Sequence, residues 1–326
     1  MKRRIIKQGH NTLTITLPTD WAKKFNIKPG DEVDINEQGR NIIITPNVKA
    51  ETTSTTIDIT GLSVPLIWRF VSSAYRDGHN TIKIMFENKP FCDMYTAFTY
   101  DTFQLKQDKN ELSSIEAIQS LVNRFVGVEI IEQRTNYCIV QELGETSIKE
   151  FENALRRIFL LLQSLSQGTI EAINGKKDTL KAAHIMDTNI DRFEDFCLRV
   201  LNKNGYSDFK KTQTMYAIVF LLELLGDEYK RLAIHLIDAK KITPEIAKYL
   251  RHVDTVFNEY YDLYYSFSKE KVEKVYKRDL EAHNMFENIT EKISSEDREI
   301  LHHLKKMVRF IISLTELRID LEYIQS

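Results

Sequence analysis

The chain opens Met1-Lys2-Arg3-Arg4-Ile5-Ile6-Lys7-Gln8-Gly9-His10-Asn11-Thr12-Leu13-Thr14-Ile15-Thr16-Leu17-Pro18, and this stretch decides how the N-terminal fold is read. Ile5-Ile6 flanked by polar residues precedes Gly9-His10-Asn11 and the alternating Thr12 to Leu17 follows it, read as two strands around a turn. Residues 19–26, Thr-Asp-Trp-Ala-Lys-Lys-Phe-Asn, then read as a short helix. Ile27-Lys28-Pro29-Gly30-Asp31 reads as a turn, in which Gly30 accepts a positive φ and Asp31 hydrogen-bonds the backbone. Residues 32–36 and 41–45 alternate again, as two further strands. A unit this small buries too little apolar surface to stand alone, so the expectation is an oligomer.

Charge follows the same boundary. The whole chain of 326 residues has a net charge of −2. Residues 1–49 hold nine Lys/Arg and five Asp/Glu, a balance of +4, which leaves −6 for the rest. A basic end on an acidic body is the pattern of a small nucleic-acid contact attached to something else. Hydrophobic content of 42% and charged content of 28% describe a globular chain and exclude a disordered one. No stretch reaches the eighteen apolar residues of a membrane span, so no membrane insertion is expected. The polar residues Lys7, Gln8, His10 and Asn11 interrupt any signal-peptide core. Cys92, Cys138 and Cys197 are scattered and form no CxxC pair, which fits a reducing compartment. The expected location is therefore cytoplasmic.

Working outward, residues 46–56 lack apolar periodicity and read as a linker. Residues 57–59 form a short strand, and residues 64–75 a helix stopped by Asp77-Gly78. Residues 81–86 form a strand and 111–125 a helix. Residues 128–133 and 137–141 form two strands about Thr135-Asn136. The aromatic-rich stretch 88–108 has no assignable type. From residue 145 the period is helical throughout, broken near Gly175, Asn204-Gly205, Thr243-Pro244, Ser268 and Ser294-Ser295. Six long helices result, arranged as one bundle or as two three-helix bundles in tandem. The first buries Phe151, Leu155, Ile158, Leu162 and Leu165.

The opening segment resembles the AbrB/MazE/SpoVT family. Residues 4–9 match its first strand and Gly, and residues 12–18 its second strand ending in Leu-Pro. Residues 20–26 match its short helix, and Ile27-Lys28-Pro29-Gly30-Asp31 its Gly-Asp turn. The resemblance implies an intertwined swapped-hairpin homodimer that binds double-stranded DNA. It places Arg3, Arg4, Lys7, His10 and Asn11 on one face, with Lys23 and Lys24 from the helix. Arg and Lys neutralise phosphates, and Asn11 and Arg4 reach base edges. Trp21 and Phe25, one turn apart, read as packing residues.

The helical part resembles the PhoU family, phosphate-signalling proteins built of two three-helix bundles. The local match is Ala182-Ala183-His184-Ile185-Met186-Asp187-Thr188-Asn189-Ile190-Asp191-Arg192-Phe193-Glu194. Asp187 and Asp191 lie one turn apart on one face, and His184 or Asp195 extends the ridge. The resemblance implies bound metal ions there, holding phosphate. Such a donor set suits iron, zinc, manganese or magnesium. The corresponding place in the second bundle holds Asp279, His283 and Glu287 at one-turn spacing, without the two-aspartate form. His303 is a further possible ligand, and Tyr260, Tyr261, Tyr264 and Tyr265 read as packing. No nucleophile–base pair, Gly-rich phosphate loop or HExxH spacing accompanies these acids, so the chain is not expected to be an enzyme.

The expected fold class is multidomain and mainly α. A swapped-hairpin β-barrel dimer spans 1–47, a linker 48–56, a small α+β domain 57–145, and a PhoU-like pair of three-helix bundles 146–326. An AbrB-like head on such a body looks like the archaeal phosphate uptake regulators. The implied function is a DNA-binding transcriptional regulator of phosphate uptake. The alternative is an adaptor that contacts a phosphate transporter subunit and uses its head only to dimerise.

Overall fold

The structure, a computed structural model, describes residues 2–38, 41–46, 52–87, 113–144, 148–289 and 293–324. The stretch 88–108 and Cys92 lie outside them. The chain divides into two units: residues 1–51 with 325–326, and Thr52–Ile324.

In the first unit, β1 (Ile6–Gln8) pairs antiparallel with β2 (Thr12–Thr14), with Ile6 opposite Thr14. Helix α1 (Thr19–Lys24) begins after Pro18, and the Trp21 and Phe25 rings sit 5.5 Å apart. The expected turn follows: Gly30 has φ +97°, and Asp31 Oδ2 accepts from the Lys28 amide at 2.7 Å. Strands β3 (Val33–Gln38) and β4 (Asn41–Pro46) pair antiparallel. Among its described residues the unit thus holds two separate two-stranded sheets. None of its side chains with described exposure is buried. Ile5 is 69% exposed, Leu13 68% and Ile42 65%. The strands are written in the pattern, but the core is missing from the single chain.

The second unit starts with an α+β layer. Its elements are β5 (Ser54–Asp58), α2 (Val64–Arg76), β6 (Thr81–Met85), α3 (Ser114–Val122), β7 (Val128–Gln133) and β8 (Tyr137–Glu142). The sheet order is β5-β6-β8-β7; β5 and β6 run parallel around α2, and the other pairings are antiparallel. Strand β5 opens inside the stretch read as linker, because its Thr-rich residues pair with β6 while Asn80 holds Thr53 by its amide at 2.9 Å. Helix α3 is started by a full capping box between Ser113 and Glu116. The layer has its own core, including Ile67, Val71, Tyr75, Ile84, Ile118 and Val140. The Tyr75 and Phe125 rings stack at 4.1 Å.

Six long helices follow: α4 (Ile148–Ile173), α5 (Ala183–Asn204), α6 (Thr212–Asp238), α7 (Pro244–Tyr265), α8 (Lys269–Ile289) and α9 (Ser295–Tyr323). Their breaks fall where Gly175, Gly205, Pro244 and Ser294 punctuate the pattern. Helices α4, α5 and α6 pack as one group and α7, α8 and α9 as another, with α6 against α9 and α4 against α7 joining them. One apolar core runs through both groups. The tyrosines pack as expected: Tyr264 lies 4.7 Å from the Phe159 ring. Among the described residues no helix is long and apolar enough to cross a membrane.

The layer and the helices are not independent. Arg199 of α5 is completely buried; it donates to the Tyr75 carbonyl at 2.7 Å and the His79 carbonyl at 2.9 Å, and pairs with Glu142 at 3.2 Å. Gly78 stops α2 at φ +94°, and a Cβ there would stand 3.0 Å from Lys203 Cβ. The glycine both closes α2 and lets α5 approach.

Candidate functional site

In the N-terminal unit Arg3, Arg4, Lys7, His10, Asn11, Lys23 and Lys24 are all exposed. Lys7 lies in β1, whereas His10 and Asn11 form the hairpin turn that follows Gly9. Lys23 and Lys24 occupy the last turn of α1, where positive charge is favoured by the helix dipole. The Lys24 ammonium lies 5.5 Å from the Phe25 ring centre. Arg3, Arg4 and Lys7 thus all precede the hairpin turn and face solvent, and the strand after the turn carries no cation.

The acidic ridge on α5 has a different surrounding. Asp187 is 1% exposed, and its Oδ2 accepts from Lys230 Nζ at 2.5 Å. Asp191 accepts from Arg124 of the layer at 2.6 Å. Arg76, at the end of α2, donates to Asp195 and to Glu194, the latter at 2.8 Å. Lys230 also reaches Asp227 at 2.9 Å, and Asp227 pairs with Arg231 at 2.8 Å. A cleft of about 140 Å³ opens among these groups, with Trp68, Arg69 and Glu223 in its wall. Burial pushes the Glu194 and Asp195 carboxyls up, and the Arg76 guanidinium pulls them part of the way back. Burial, with Asp227 and Asp187 nearby, raises Glu223 to about 7.

Asp187, Asp191 and Asp195 thus each meet a cation of another element, Lys230, Arg124 and Arg76 in turn. The geometry is that of an ion-pair seam between layer and helices, and it differs from the open ligand ridge expected from the spacing. The reason lies outside α5: the cations come from the end of α2, the turn after α3, and α6. His184 is half-buried and its carbonyl accepts from Thr188 at 2.9 Å. In α8, Asp279 is half-buried while His283 and Glu287 face solvent. Among the described residues, the one set of three possible ligands that converges is His235, Glu299 and His303. Spacing missed His235, but Glu299 and His303 stand one turn apart in the sequence. The seam had one sequence signal as well, Glu223 and Asp227 at the same one-turn spacing beside Lys230. Arg76 and Arg124 had none.

Residues 6–52 match the family model of antidote-toxin recognition MazE, a bacterial antitoxin. The chain therefore carries a MazE-type domain at its N-terminus, and its Gly30-Asp31 turn and both hairpins lie within the match. None of the curated proteins matches the chain. Among solved structures, the chain is similar to the crystal structure of the phosphate transport system regulatory protein PhoU from Streptococcus pneumoniae. That likeness has a TM-score of 0.46 and 15% identity, over 55% of this chain and 96% of that one.

Proposed function

We propose that this protein is a DNA-binding transcriptional regulator that works as a homodimer, with the helical body receiving the signal. The observation that carries the reading is the state of the N-terminal unit. None of its side chains with described exposure is buried, and Ile5, Ile6, Leu13, Ile15, Ile35 and Ile42 stand out from it. Exposed apolar residues in that number need a cover, and a second copy of the same hairpins supplies one. Dimerisation then doubles the cationic face formed by Arg3, Arg4 and Lys7, with His10 and Asn11 at the turn. The match of residues 6–52 to a MazE-type domain supports the same reading. The proposed signal is phosphate status, which rests on the sequence resemblance of residues 182–194 alone. The body has no role in bond-making in this scheme; it changes the dimer's hold on DNA.

The test is fluorescence anisotropy with genomic duplex fragments recovered by chromatin pull-down, titrated across salt. Affinity is expected to fall steeply with salt. An Arg3/Arg4/Lys7→Ala variant removes up to six phosphate contacts per dimer and should flatten the log–log slope by about 5. A variant slope equal to wild type overturns DNA binding and leaves the adaptor reading, in which the body holds a transporter subunit. Inorganic phosphate added to the titration should shift the midpoint; no shift removes phosphate as the signal and leaves DNA binding standing.

A further inference from the structure

The packed pair α6 and α9 brings together a group of side chains that the ion-pair seam does not use. His235 lies in the last turn of α6. Glu299 and His303 lie one turn apart near the start of α9. One ring nitrogen of each histidine and one carboxylate oxygen of Glu299 all lie within 4.8 Å of one another. The two imidazole rings are 5.2 Å apart and inclined by only 28°.

One histidine of this group is held as metal-binding histidines are held. His303 is only 6% exposed, and its Nδ1 bonds Glu228 Oε2 at 2.6 Å. Glu228 is itself buried, and its other oxygen is fixed by Arg231 at 2.7 Å and faces Lys306 at 3.5 Å. A carboxylate on one ring nitrogen sets the tautomer, so that Nδ1 carries the proton and Nε2 keeps its lone pair. It also raises the basicity of the ring as a ligand. A buried histidine with one nitrogen so engaged and a second histidine stacked beside it is not explained by packing alone.

We propose that His235, Glu299 and His303 form a binding site for a divalent transition-metal ion of the zinc class, joining the end of α6 to the start of α9. Two imidazoles and one carboxylate favour such an ion over magnesium or calcium, which prefer all-oxygen sites. A tetrahedral ion with bonds of about 2.0–2.1 Å sets its donors about 3.3 Å apart. Glu299 is exposed and His235 half-buried, so side-chain rotation at these two closes the set onto an ion while His303 stays fixed. Three protein ligands leave a fourth position for water or a small anion. The ion would tie the first helical group to the second, at a place separate from the ridge at Asp187 and Asp191.

The test is isothermal titration of Zn²⁺ into tag-free, full-length protein stripped with chelator, with Co²⁺ absorption as a second reading. Wild type should bind one equivalent at this site, and Co²⁺ should give the intense visible bands of a tetrahedral ion. His235→Ala and Glu299→Gln alter partly exposed positions, so circular dichroism should show an unchanged fold. Each should weaken binding at least tenfold and diminish the Co²⁺ bands. Asp187→Asn with Asp191→Asn breaks two seam pairs, and at a temperature where circular dichroism shows it folded it should leave both readings as in wild type. Stripped wild type that takes up no stoichiometric zinc overturns the proposal, as do folded His235→Ala and Glu299→Gln variants that bind like wild type. Loss of binding in a folded Asp187/Asp191 variant, with His235→Ala and Glu299→Gln binding like wild type, overturns it too and places the ion on the ridge.

Discussion

The two units of this chain handle charge in opposite ways. Among the described residues of the first unit the cations stand in solvent and exposed apolar side chains stand beside them, with nothing buried among those with described exposure. In Thr52–Ile324 the reverse holds: Asp187, Glu194, Asp195, Arg199, Glu228 and Lys230 are buried and held against one another or against backbone carbonyls. Exposed charge is free to meet a partner, whereas buried charge is committed to the fold. The contrast teaches that the two acidic or basic patterns picked out by spacing have different meanings. The basic one lies at the surface, and the acidic one is engaged in ion pairs.

The sharpest way to break this contrast is to unpair the seam. Lys230→Met leaves Asp187 buried without its cation and should destabilise the large unit by about 3–5 kcal/mol in chemical denaturation. Adding Asp187→Asn should recover much of that loss. If Lys230→Met unfolds at the wild-type midpoint, the seam does not hold the fold. Next is the missing core of the small unit. Leu13→Asp puts a charge where the proposed dimer would cover an apolar side chain, and should weaken self-association by roughly 3 kcal/mol. Sedimentation velocity would show monomers at micromolar concentration; an unchanged dimer would mean that the hairpins are covered otherwise.

A smaller effect concerns Glu223. Its pKa of about 7 lies above the ordinary glutamate value of 4.5, so the folded protein binds this proton more tightly than the unfolded chain. Its contribution is therefore largest below pH 4.5 and is lost as pH rises towards 7. Glu223→Gln should gain stability relative to wild type across that window, by about 1–3 kcal/mol at pH 8. A difference that does not vary with pH would remove this group from the account. The smallest effect belongs to Asp178, whose pair with Lys181 is fully exposed at 2.6 Å. Asp178→Ala should leave the melting temperature unchanged within error.

The helices were legible because their period persists over twenty residues or more and their ends carry Gly, Pro or Ser. The Gly30-Asp31 turn was legible for a local reason too: the Asp31 carboxylate bonds an amide three residues away. The seam was not. Arg76 meets Asp195 across 119 residues and Arg124 meets Asp191 across 67, and no spacing rule reaches that far. Strand β5 opens before the point expected because its pairing with β6 is likewise non-local. His303 showed only as one histidine on a helix; its burial and its bond to Glu228 depend on α6 lying alongside.

Arg199 has a consequence for anyone who divides this protein. Its two terminal nitrogens are held by carbonyls and a carboxylate that all lie before residue 143, yet it is carried by the C-terminal part of α5. A fragment starting at residue 148 would inherit a charged, arginine-headed scar together with the bare flank of α5, and would be prone to stick to itself. A fragment starting at residue 52 would inherit no such wound. The natural cutting point of the chain is thus a hundred residues earlier than its change to all-helical sequence.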